Sequence, residues 1–440
     1  MHTPAAARET SSTRVFDGVT PYHWLVVLIA SAGWLFDCMD QRLFILGRES
    51  ALRELMPADP AAIRTHIGYA TTSMILGWAT GGIIFGMMSD KVGRVKTMVF
   101  TLLVYSGFTG LSGLATSWVD FTLYRFLAGI GIGGMFGAAT TLVAESVPAG
   151  FRAMALGSLQ ALSALGNIIG SLLSLQIPPG SHNFINEYAG WRVLFFVGIV
   201  PALLVVPIMF VLREPDSWVR AKADAAAGIG HKNIGSPAEL FRDPRWRRNT
   251  IVGLFLGVSG MIGLWGIGFF SPELISTALK GAPQNVVDTV RGWGTAFQDV
   301  GSFLGMITFT MVAAFLSRRL AFLMALLLSM FVTMFVFRSL NSASDAYWML
   351  PMMGFAQLAV FAGYSIYFPE LFPTRLRGTG VGFCYNTVRY LAAPAPTLMG
   401  YLATRMSFRS AAVLMSTIYL VGVIALIWAP ETKDKPLPEG

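Results

Sequence analysis

The amino-acid sequence predicts an all-α membrane protein whose twelve transmembrane helices form two pseudo-symmetric six-helix bundles, and three observations lead to this fold class. First, the chain of 440 residues is 54% hydrophobic and only 13% charged, whereas about a quarter of the residues in a soluble domain are charged. Second, apolar residues occur in long runs such as 194–212, and a run of about 20 residues spans a bilayer as a helix. Third, one charged pattern recurs at a constant spacing in the second half of the chain.

The apolar runs divide the chain into spans and loops. The twelve predicted spans lie near residues 22–46, 68–88, 97–116, 120–145, 153–177, 192–212, 249–272, 291–314, 320–340, 346–369, 378–403 and 410–430. No cleavage-type signal precedes Pro21, so the first span is expected to stay as an uncleaved anchor. The predicted organisation is an N-terminal tail (1–21), a first bundle (22–212), a central loop (213–248), a second bundle (249–430) and a C-terminal tail (431–440).

Basic residues predict the orientation. Of the 32 Lys and Arg residues, 20 fall in segments on the side of both termini, 9 fall on the opposite side and 3 lie within spans. Because cytoplasmic loops carry the excess of Lys and Arg, both termini are expected to be cytoplasmic. The net charge of +8 therefore reflects topology, and the sequence has no basic stripe with interleaved aromatic residues that would indicate a nucleic-acid partner.

The two halves repeat one pattern at the ends of spans four and ten. The segments read "ESVPAGFRAMALG" and "ELFPTRLRGTGVG". An offset of 225 residues relates the two sets of matching positions and also carries Arg94 onto Arg319: Glu145, Pro148, Arg152 and Gly157 recur as Glu370, Pro373, Arg377 and Gly382. The repeat indicates a duplicated six-helix unit, and parallel repeats with a site at their midplane interface are a transporter architecture.

The loop after span two reads "GMMSDKVGRVK", in which Gly86, Asp90, Gly93, Arg94 and Lys96 form G-x-x-x-D-x-x-G-R-x-K. Glycine at the first position allows two helices to approach closely, and the second glycine permits a tight turn. The aspartate can pair with the arginine and accept from a neighbouring helix N-terminus. A cytoplasmic gate is therefore predicted, which also includes the repeated acidic and basic residues Glu145, Arg152, Glu370 and Arg377.

These motifs resemble the major facilitator superfamily. The loop above resembles its best-known motif, and "RFLAGIGIGG" in span four resembles its second, with Arg125 as the charged residue. The paired E-x-x-P-x-x-x-R, "GWR" at 190–192, "REPDSW" at 213–218 and "PETKDKPLPE" at 430–439 resemble the sugar-porter-like branch. The pattern is nearest to the proton symporters of aromatic acids, sialate and lactate. Those symporters carry D-G-x-D in span one, where this chain has Asp37-Cys38-Met39-Asp40.

Two further patterns exclude other functions. The run "GIGIGG" at 129–134 fits G-x-G-x-x-G, but it lies inside an apolar helix and not after a strand, so close helix packing explains it better than a dinucleotide does. Span five reads "LGNIIGSLL" without the proline of the antiporter motif, which disfavours a drug exporter. No metal-ligand cluster and no G-x-x-x-x-G-K-[ST] loop occurs, so neither a metal nor a cofactor is expected.

Charges inside span one raise the question of proton coupling. Asp37, Asp40 and Gln41 share a helix face at i, i+3 and i+4, and such a face must point to a cavity or a partner. Burial and mutual repulsion favour a bound proton on at least one carboxyl, so both aspartates are proton-coupling candidates and Asp299 of span eight is a third. The alternative is a structural clamp, in which Arg42 pairs with Asp40; otherwise Arg42 is expected to reach the outer interface.

Two arginines within spans indicate the sign of the substrate. Arg125 and Arg389 stay charged at any accessible pH and suit carboxylates. The predicted substrate-binding set adds polar residues on spans one, eight and eleven: Arg389, Asn386, Arg125, Gln41, Gln298 and Tyr385. The alternatives are a structural or proton-linked role for Arg125, and pairing of Arg389 with Asp299 or a carbonyl.

The sequence therefore predicts a secondary transporter for proton-coupled uptake of a small organic acid by alternating access, and not an enzyme. Its expected partners are a carboxylate substrate, protons and the bilayer. The resemblance implies a multi-pass monomer in the bacterial inner membrane. The alternatives are a sugar or polyol carrier, which shares the branch motifs, and a non-transporting nutrient sensor.

Overall fold

The computed structural model describes residues 15–56, 60–181, 187–227 and 234–439. Over these ranges the regular elements are α-helices and short 3-10 helices. The all-α fold class is thus confirmed. The predicted N-terminal tail falls largely outside the described residues.

The first half of the chain, defined here as the residues before 213, contains five long helices and one interrupted helix. They are α1 (Pro21–Leu55), α2 (Pro60–Val92), α3 (Arg94–Ser112), α4 (Trp118–Ser146), α5 (Ala149–Gln176), α6 (Gly190–Val197) and α7 (Val205–Val211). A 3-10 turn over Val200–Leu204 joins α6 to α7, where Pro201 lacks the N–H that would continue the α-helical ladder. The connecting segment to the second half carries α8 (Asp216–Ala226) and α9 (Glu239–Arg242).

The second half begins at residue 244. Its helices are α10 (Pro244–Gly266), α11 (Ser271–Ala278), α12 (Gln284–Phe315), α13 (Arg318–Ser339), α14 (Ala343–Leu371), α15 (Arg377–Ala392), α16 (Ala395–Arg405), α17 (Phe408–Met415) and α18 (Tyr419–Ala425). Three 3-10 turns, over Gly268–Phe270, Thr374–Leu376 and Ser416–Ile418, connect neighbouring helices. The helix α10 begins before the predicted span because the Asp243 side chain accepts from the Arg245 N–H at 2.8 Å.

Among the described residues, eleven helices or helix runs are long and apolar enough to cross a membrane. They correspond to eleven of the predicted spans. The remaining prediction, 378–403, is divided between α15 and α16 around Pro394. Proline ends a helix because it lacks the N–H donor and its ring clashes with the preceding turn, so neither piece reaches the length of a full span on its own.

The repeat in the sequence has a counterpart in the capping of α4 and α14. The Ser117 hydroxyl accepts from the Asp120 N–H, and the Asp120 carboxylate accepts from the Ser117 N–H, both at 3.1 Å. Ser342 and Asp345 make the same two bonds, at 3.2 and 3.0 Å. A capping box satisfies N–H groups that the helix leaves unpaired, so the same interaction sets the start of the fourth spanning helix in each half.

Glycines bring α4 against α2 at van der Waals distance. A Cβ atom on Gly129 would lie 2.3 Å from the Met74 carbonyl oxygen, and one on Gly133 would lie 2.1 Å from the Trp78 carbonyl oxygen. Only a residue without a side chain fits such contacts. The packing interpretation of the "GIGIGG" run is therefore confirmed.

Candidate functional site

A buried ion pair lies inside the first half, between α1 and α4. Arg125 Nη1 lies 3.4 Å from Asp40 Oδ2, and both side chains are fully buried. The guanidinium also donates to the hydroxyls of Ser112 and Thr109, each at 2.9 Å, and lies over the Phe195 ring at 4.9 Å. Arg125 is thus held by neighbours of its own half and does not converge with Arg389.

The partner of Arg42 differs from the expectation. Arg42 does not pair with Asp40, because its Nη2 atom lies 2.9 Å from Asp299 Oδ2. Residues two positions apart on a helix do not face each other, so Asp40 points into the first half while Arg42 reaches α12. The predicted pairing of Arg42 with Asp40 is wrong, the pair that Arg42 forms joins the two halves, and its position at the outer interface stays a prediction.

Asp37 is a buried carboxylate next to the ion pair of Asp40 with Arg125. Its side chain is fully enclosed, and none of the ion pairs found among the described residues includes it. Asp40 and Tyr105 are its polar neighbours. One turn earlier on α1, the indole N–H of Trp34 is also buried without an acceptor in the described part of the chain. The two aspartates of span one therefore differ: Asp40 has a cation and Asp37 does not.

Arg389 is a buried cation on α15 at the boundary between the halves. Its guanidinium carbon lies 3.6 Å from the centroid of the Trp78 ring and 4.9 Å from that of Tyr385. The Nε–H donates to Asn386 Oδ1 at 3.4 Å. Within the described ranges no ion pair reaches Arg389, and Asp299, its suggested alternative partner, is paired with Arg42. This alternative for Arg389 is therefore wrong.

Two aromatic rings, one from each half, lie against Arg389, and two further rings pack against these two. We call Trp34, Trp78, Phe136 and Tyr385 the aromatic cluster. Phe136 stacks on Tyr385 with ring centroids 3.9 Å apart, and Trp34 lies 5.0 Å from Phe136 and 6.5 Å from Trp78. The sequence analysis missed Trp78, since a tryptophan in an apolar span carries no mark that separates a cluster residue from a lipid-facing one.

The remaining polar candidates lie apart. Gln41 is partly buried, and its Nε2 atom has no acceptor among the described residues. The carbonyl oxygen of Gln298 accepts from the Ser271 hydroxyl at 2.9 Å, so its amide is held within the second half. Asn386 also donates to the Gly382 carbonyl at 2.9 Å. The structure thus brings Arg389, Asn386 and Tyr385 together, and the roles of the others stay predictions.

The predicted gate residues form a charge network at the end of the molecule where the first and last described residues lie. Arg94 makes two bonds to the Glu145 carboxylate, each at 3.0 Å, and lies 3.2 Å from Asp90. Asp90 in turn accepts from the Gly378 N–H at 2.9 Å, and from the N–H and hydroxyl of Thr379, each at 2.7 Å. A carboxylate of the first half therefore caps α15 of the second.

Further contacts close the same end. Arg377 of the second half pairs with Glu145 of the first, and Arg94 donates to the Thr374 carbonyl at 2.7 Å. A Cβ atom on Gly86 would lie 2.7 Å from the Gly378 carbonyl oxygen, so glycine is required for this approach. The two halves are thus joined at this end by ion pairs, helix capping and backbone contact.

The second half repeats the network with a shifted register. Arg318, and not the predicted Arg319, occupies the position of Arg94: it makes two bonds to Glu370, at 3.2 and 3.0 Å. Each of these arginines also donates to the carbonyl five residues earlier. The correspondence of Arg94 with Arg319 is therefore wrong by one residue, whereas Arg152 and Arg377 make equivalent bonds to the carbonyls of Ala144 and Pro369, each at 3.0 Å.

Two glutamates that the sequence analysis did not single out cap the helices that follow the loops. Glu214 accepts from the N–H groups of Arg94 and Val95, at 2.7 and 3.0 Å. Glu431 accepts from the N–H groups of Arg318 and Arg319, at 3.1 and 3.2 Å. Both lie next to a proline in the "REPDSW" and "PETKDKPLPE" segments, so the shared Glu and Pro were the available signal.

The two other residues of the loop motif take different positions. Gly93 has a φ of +132°, and a Cβ atom there would lie 2.3 Å from a carboxylate oxygen of Glu214. Glycine is thus needed for the turn and for the cap. Lys96 contributes its N–H to Glu214 at 3.3 Å, but its side chain is exposed.

Comparison with known proteins agrees with this geometry. Residues 50–396 match the Major Facilitator Superfamily. A cis,cis-muconate transport protein of Acinetobacter baylyi is 31% identical over 364 residues, covering 82% of this chain and 84% of the relative. The sialic acid transporter NanX of Escherichia coli is 28% identical, covering 89% of this chain and 90% of the relative. A gentisate transporter of Corynebacterium glutamicum is 26% identical, covering 93% and 88%.

A solved structure supports the fold. The proton:xylose symporter XylE, bound to 6-bromo-6-deoxy-D-glucose, matches with a TM-score of 0.74 at 19% identity, over 94% of this chain and 98% of that chain. At this identity the match concerns the arrangement of helices and not the ligand. With the family match over residues 50–396, the chain is an integral multi-pass membrane protein, a transporter and not an enzyme, and it belongs to the Major Facilitator Superfamily.

Proposed function

We propose that the protein takes up a small organic acid together with protons, by alternating access between its two halves. The observation that carries this proposal is Arg389, a cation buried among aromatic rings with no carboxylate of the described residues paired to it. In this proposal the bundles 22–212 and 249–430 are the two bodies that move relative to each other during transport. Both termini are cytoplasmic, the membrane is the bacterial inner membrane and the carrier is a monomer.

The chemistry around Arg389 supports a carboxylate with an apolar or aromatic body. A guanidinium presents a planar fork of donors that matches a carboxylate, and Asn386 holds that fork from one side. The rings of the aromatic cluster offer flat apolar faces for stacking. The relatives named for muconate, gentisate and sialic acid support the same substrate class.

The aspartates of α1 support proton coupling. A charged carboxylate inside a membrane span is costly unless it is paired, and proton binding removes that charge. Asp37 has no cationic partner among the described residues, whereas Asp40 is paired with Arg125. Asp37 is therefore the first candidate for the transported proton, Asp40 is the second, and Asp299, which is paired with Arg42, is the third.

The test is uptake into proteoliposomes under an imposed pH gradient. The panel contains muconate, gentisate, benzoate, sialic acid and, as neutral controls, xylose and glucose. We expect acidic outside medium to drive accumulation of at least one acid above its equilibrium level and to leave the sugars unaccumulated. Accumulation of a sugar with no acid transported would overturn the substrate class, and acid uptake that ignores the gradient would overturn the coupling.

A further inference from the structure

A groove runs along the outer surface of the second half, between α10 and the segment from α18 to Trp428. Its volume is about 620 Å³. Four apolar side chains form its walls and two arginines stand at its loop end: Ile251, Phe255, Ile424, Trp428, Arg247 and Arg248. Since this surface belongs to spanning helices, the groove opens toward the bilayer and not toward the interface between the halves.

The two arginines are available to an anion from outside the chain. Arg248 Nε donates to the Trp428 carbonyl at 2.8 Å, which fixes that guanidinium at the rim. No ion pair joins Arg247 or Arg248 to a carboxylate of the described residues. The neighbouring acid Glu431 already accepts bonds from Ser317 and from the start of α13.

The order of residues along the groove matches the order of polarity in a phospholipid. Arg247 and Arg248 lie at the start of α10, where the loop ends, and Ile251 and Phe255 follow one and two turns further into the span. On the facing wall, Trp428 lies at the loop end; tryptophan is enriched where the bilayer meets water. Basic pockets between spanning helices are suited to anionic lipid head groups.

We propose that this groove binds an anionic phospholipid from the leaflet on the side of the termini. Arg247 and Arg248 hold the phosphate of its head group, and one acyl chain lies along Ile251, Phe255 and Ile424. The local charge selects an anionic over a zwitterionic lipid, because the stretch from 242 to 248 contains four arginines and one aspartate.

A second groove near α13 and α17 shows why this one is favoured. It is also lined by two arginines, Arg338 and Arg409. There, however, the Arg409 guanidinium donates to the carbonyls of Arg338 and Leu340, at 3.1 and 2.6 Å. These bonds occupy donors on two of its nitrogens, so the second groove offers fewer free donors to a phosphate.

The experiment is native mass spectrometry of the full-length protein in detergent, titrated with phosphatidylglycerol or with phosphatidylcholine. We expect one phosphatidylglycerol to be retained at about a tenfold lower concentration than phosphatidylcholine, as two interfacial arginines imply. Arg247→Gln and the double variant R247Q/R248Q should remove most of this preference. Arg242→Gln is the matched control, since it removes the same charge from the same segment, and Arg242 pairs with Glu239 outside the groove.

Each result of these lipid titrations either supports or overturns the proposed site. Equal retention of both lipids by the wild type, unchanged preference in R247Q/R248Q, or an equal loss in Arg242→Gln would each overturn the site. Arg247→Gln keeps the bond between Arg248 and Trp428, so it decides the question if the double variant unfolds. The result does not depend on which substrate the protein carries.

Discussion

Arg389 combines a permanent charge with contacts to two aromatic rings. Its 3.6 Å contact with Trp78 stabilises the cation through the ring face and leaves the edge of the guanidinium for hydrogen bonds. Asn386 takes one donor. A ligand carboxylate arriving at the remaining donors would thus be bound in the plane of the guanidinium.

Arg389→Lys should therefore weaken binding of the transported acid by about tenfold or more, on the order of 1.5–3 kcal/mol for a charged hydrogen bond. Lysine keeps the charge but loses the planar fork. The measurement is equilibrium binding of the acid found in the uptake panel. Arg409→Lys is the control and should bind normally, because Arg409 lies at the start of α17 and donates to the carbonyls of Arg338 and Leu340. Unchanged binding in Arg389→Ala would reject the assignment and favour a sugar substrate.

Asp37→Asn should separate exchange from accumulation. The amide resembles a permanently protonated carboxyl, so the carrier should still exchange substrate across the membrane but no longer concentrate it under a pH gradient. The measurement is counterflow beside gradient-driven uptake in the same vesicles. A purely structural role predicts loss of folded protein and no such separation. If the variant still accumulates substrate, coupling belongs to Asp40 or Asp299.

Side-chain spacing predicted which faces of α1 carry charge but not which partners those faces meet. The i, i+3 relation correctly groups Asp37 with Asp40, because helix geometry is local. The pairing of Arg42 with Asp299 depends instead on how two halves pack, across 257 positions of sequence. Trp78 was missed for the same reason, since its contact with Arg389 exists only once α2 and α15 meet.

At the scale of single elements, the first N–H groups of α3 and of α13 are each capped by a glutamate from a segment distant in sequence. Burial acts to raise the pKa of Glu431, but hydrogen bonds from Ser317 and from the N–H groups of Lys433, Arg319 and Arg318 outweigh it. The pKa of Glu431 therefore lies below its ordinary value of 4.5. The negative charge also lies at the positive end of the helix dipole.

Glu431→Gln should lower the melting temperature at pH 7 by about 2–4 °C, the change that roughly 1 kcal/mol makes in a bundle of about 200 residues. Because the folded pKa is depressed, the stabilisation is fully present above pH 4.5 and is lost as the pH falls through the folded value. The difference between the variant and the wild type should narrow below pH 4.5. Glu439→Gln, in the same tail, is the control. An equal difference at all pH values would contradict the cap.

The helix boundaries show which features of the fold could not be predicted from hydropathy alone. Apolar runs located eleven spans, because burying a run of about 20 residues in lipid requires a helix. The break near Pro394 within 378–403 was not predicted, since hydropathy averages over a window and does not register a missing N–H. The early start of α10 was also missed, because Asp243 caps a polar turn that lies beyond the apolar run.

At the scale of the whole molecule, duplication explains most of what the sequence predicted. Glu145 and Glu370 hold Arg94 and Arg318 through equivalent bonds. The shift from Arg319 to Arg318 was not visible in the sequence, since two adjacent arginines both fit the repeat within one residue. The halves also differ: Asp90 caps α15, while the 224-residue offset from Arg94 to Arg318 places Ala314 at the corresponding position of the second half.

That asymmetry makes Asp90 the most informative position for testing the gate. Asp90→Asn keeps the shape of the side chain but removes the charge that pairs with Arg94 and caps α15. The state in which the gate network closes this end of the molecule should therefore become less stable. The transport cycle should slow at the step in which the gate closes again. Because the aromatic cluster and Arg389 do not contact Asp90, substrate affinity should stay within a few-fold of the wild type.

The measurement is maximal transport rate and equilibrium binding for the same purified variants. Arg94→Ala should behave like Asp90→Asn, and more severely, since it also releases Glu145. Lys96→Gln is the matched control, because it belongs to the same loop motif but its side chain is exposed. Isolated exposed ion pairs contribute little, so a strong effect requires the buried network to act as a unit. Wild-type turnover in Asp90→Asn would reject the gate, and a fall in affinity equal to the fall in rate would place its effect at the substrate site instead.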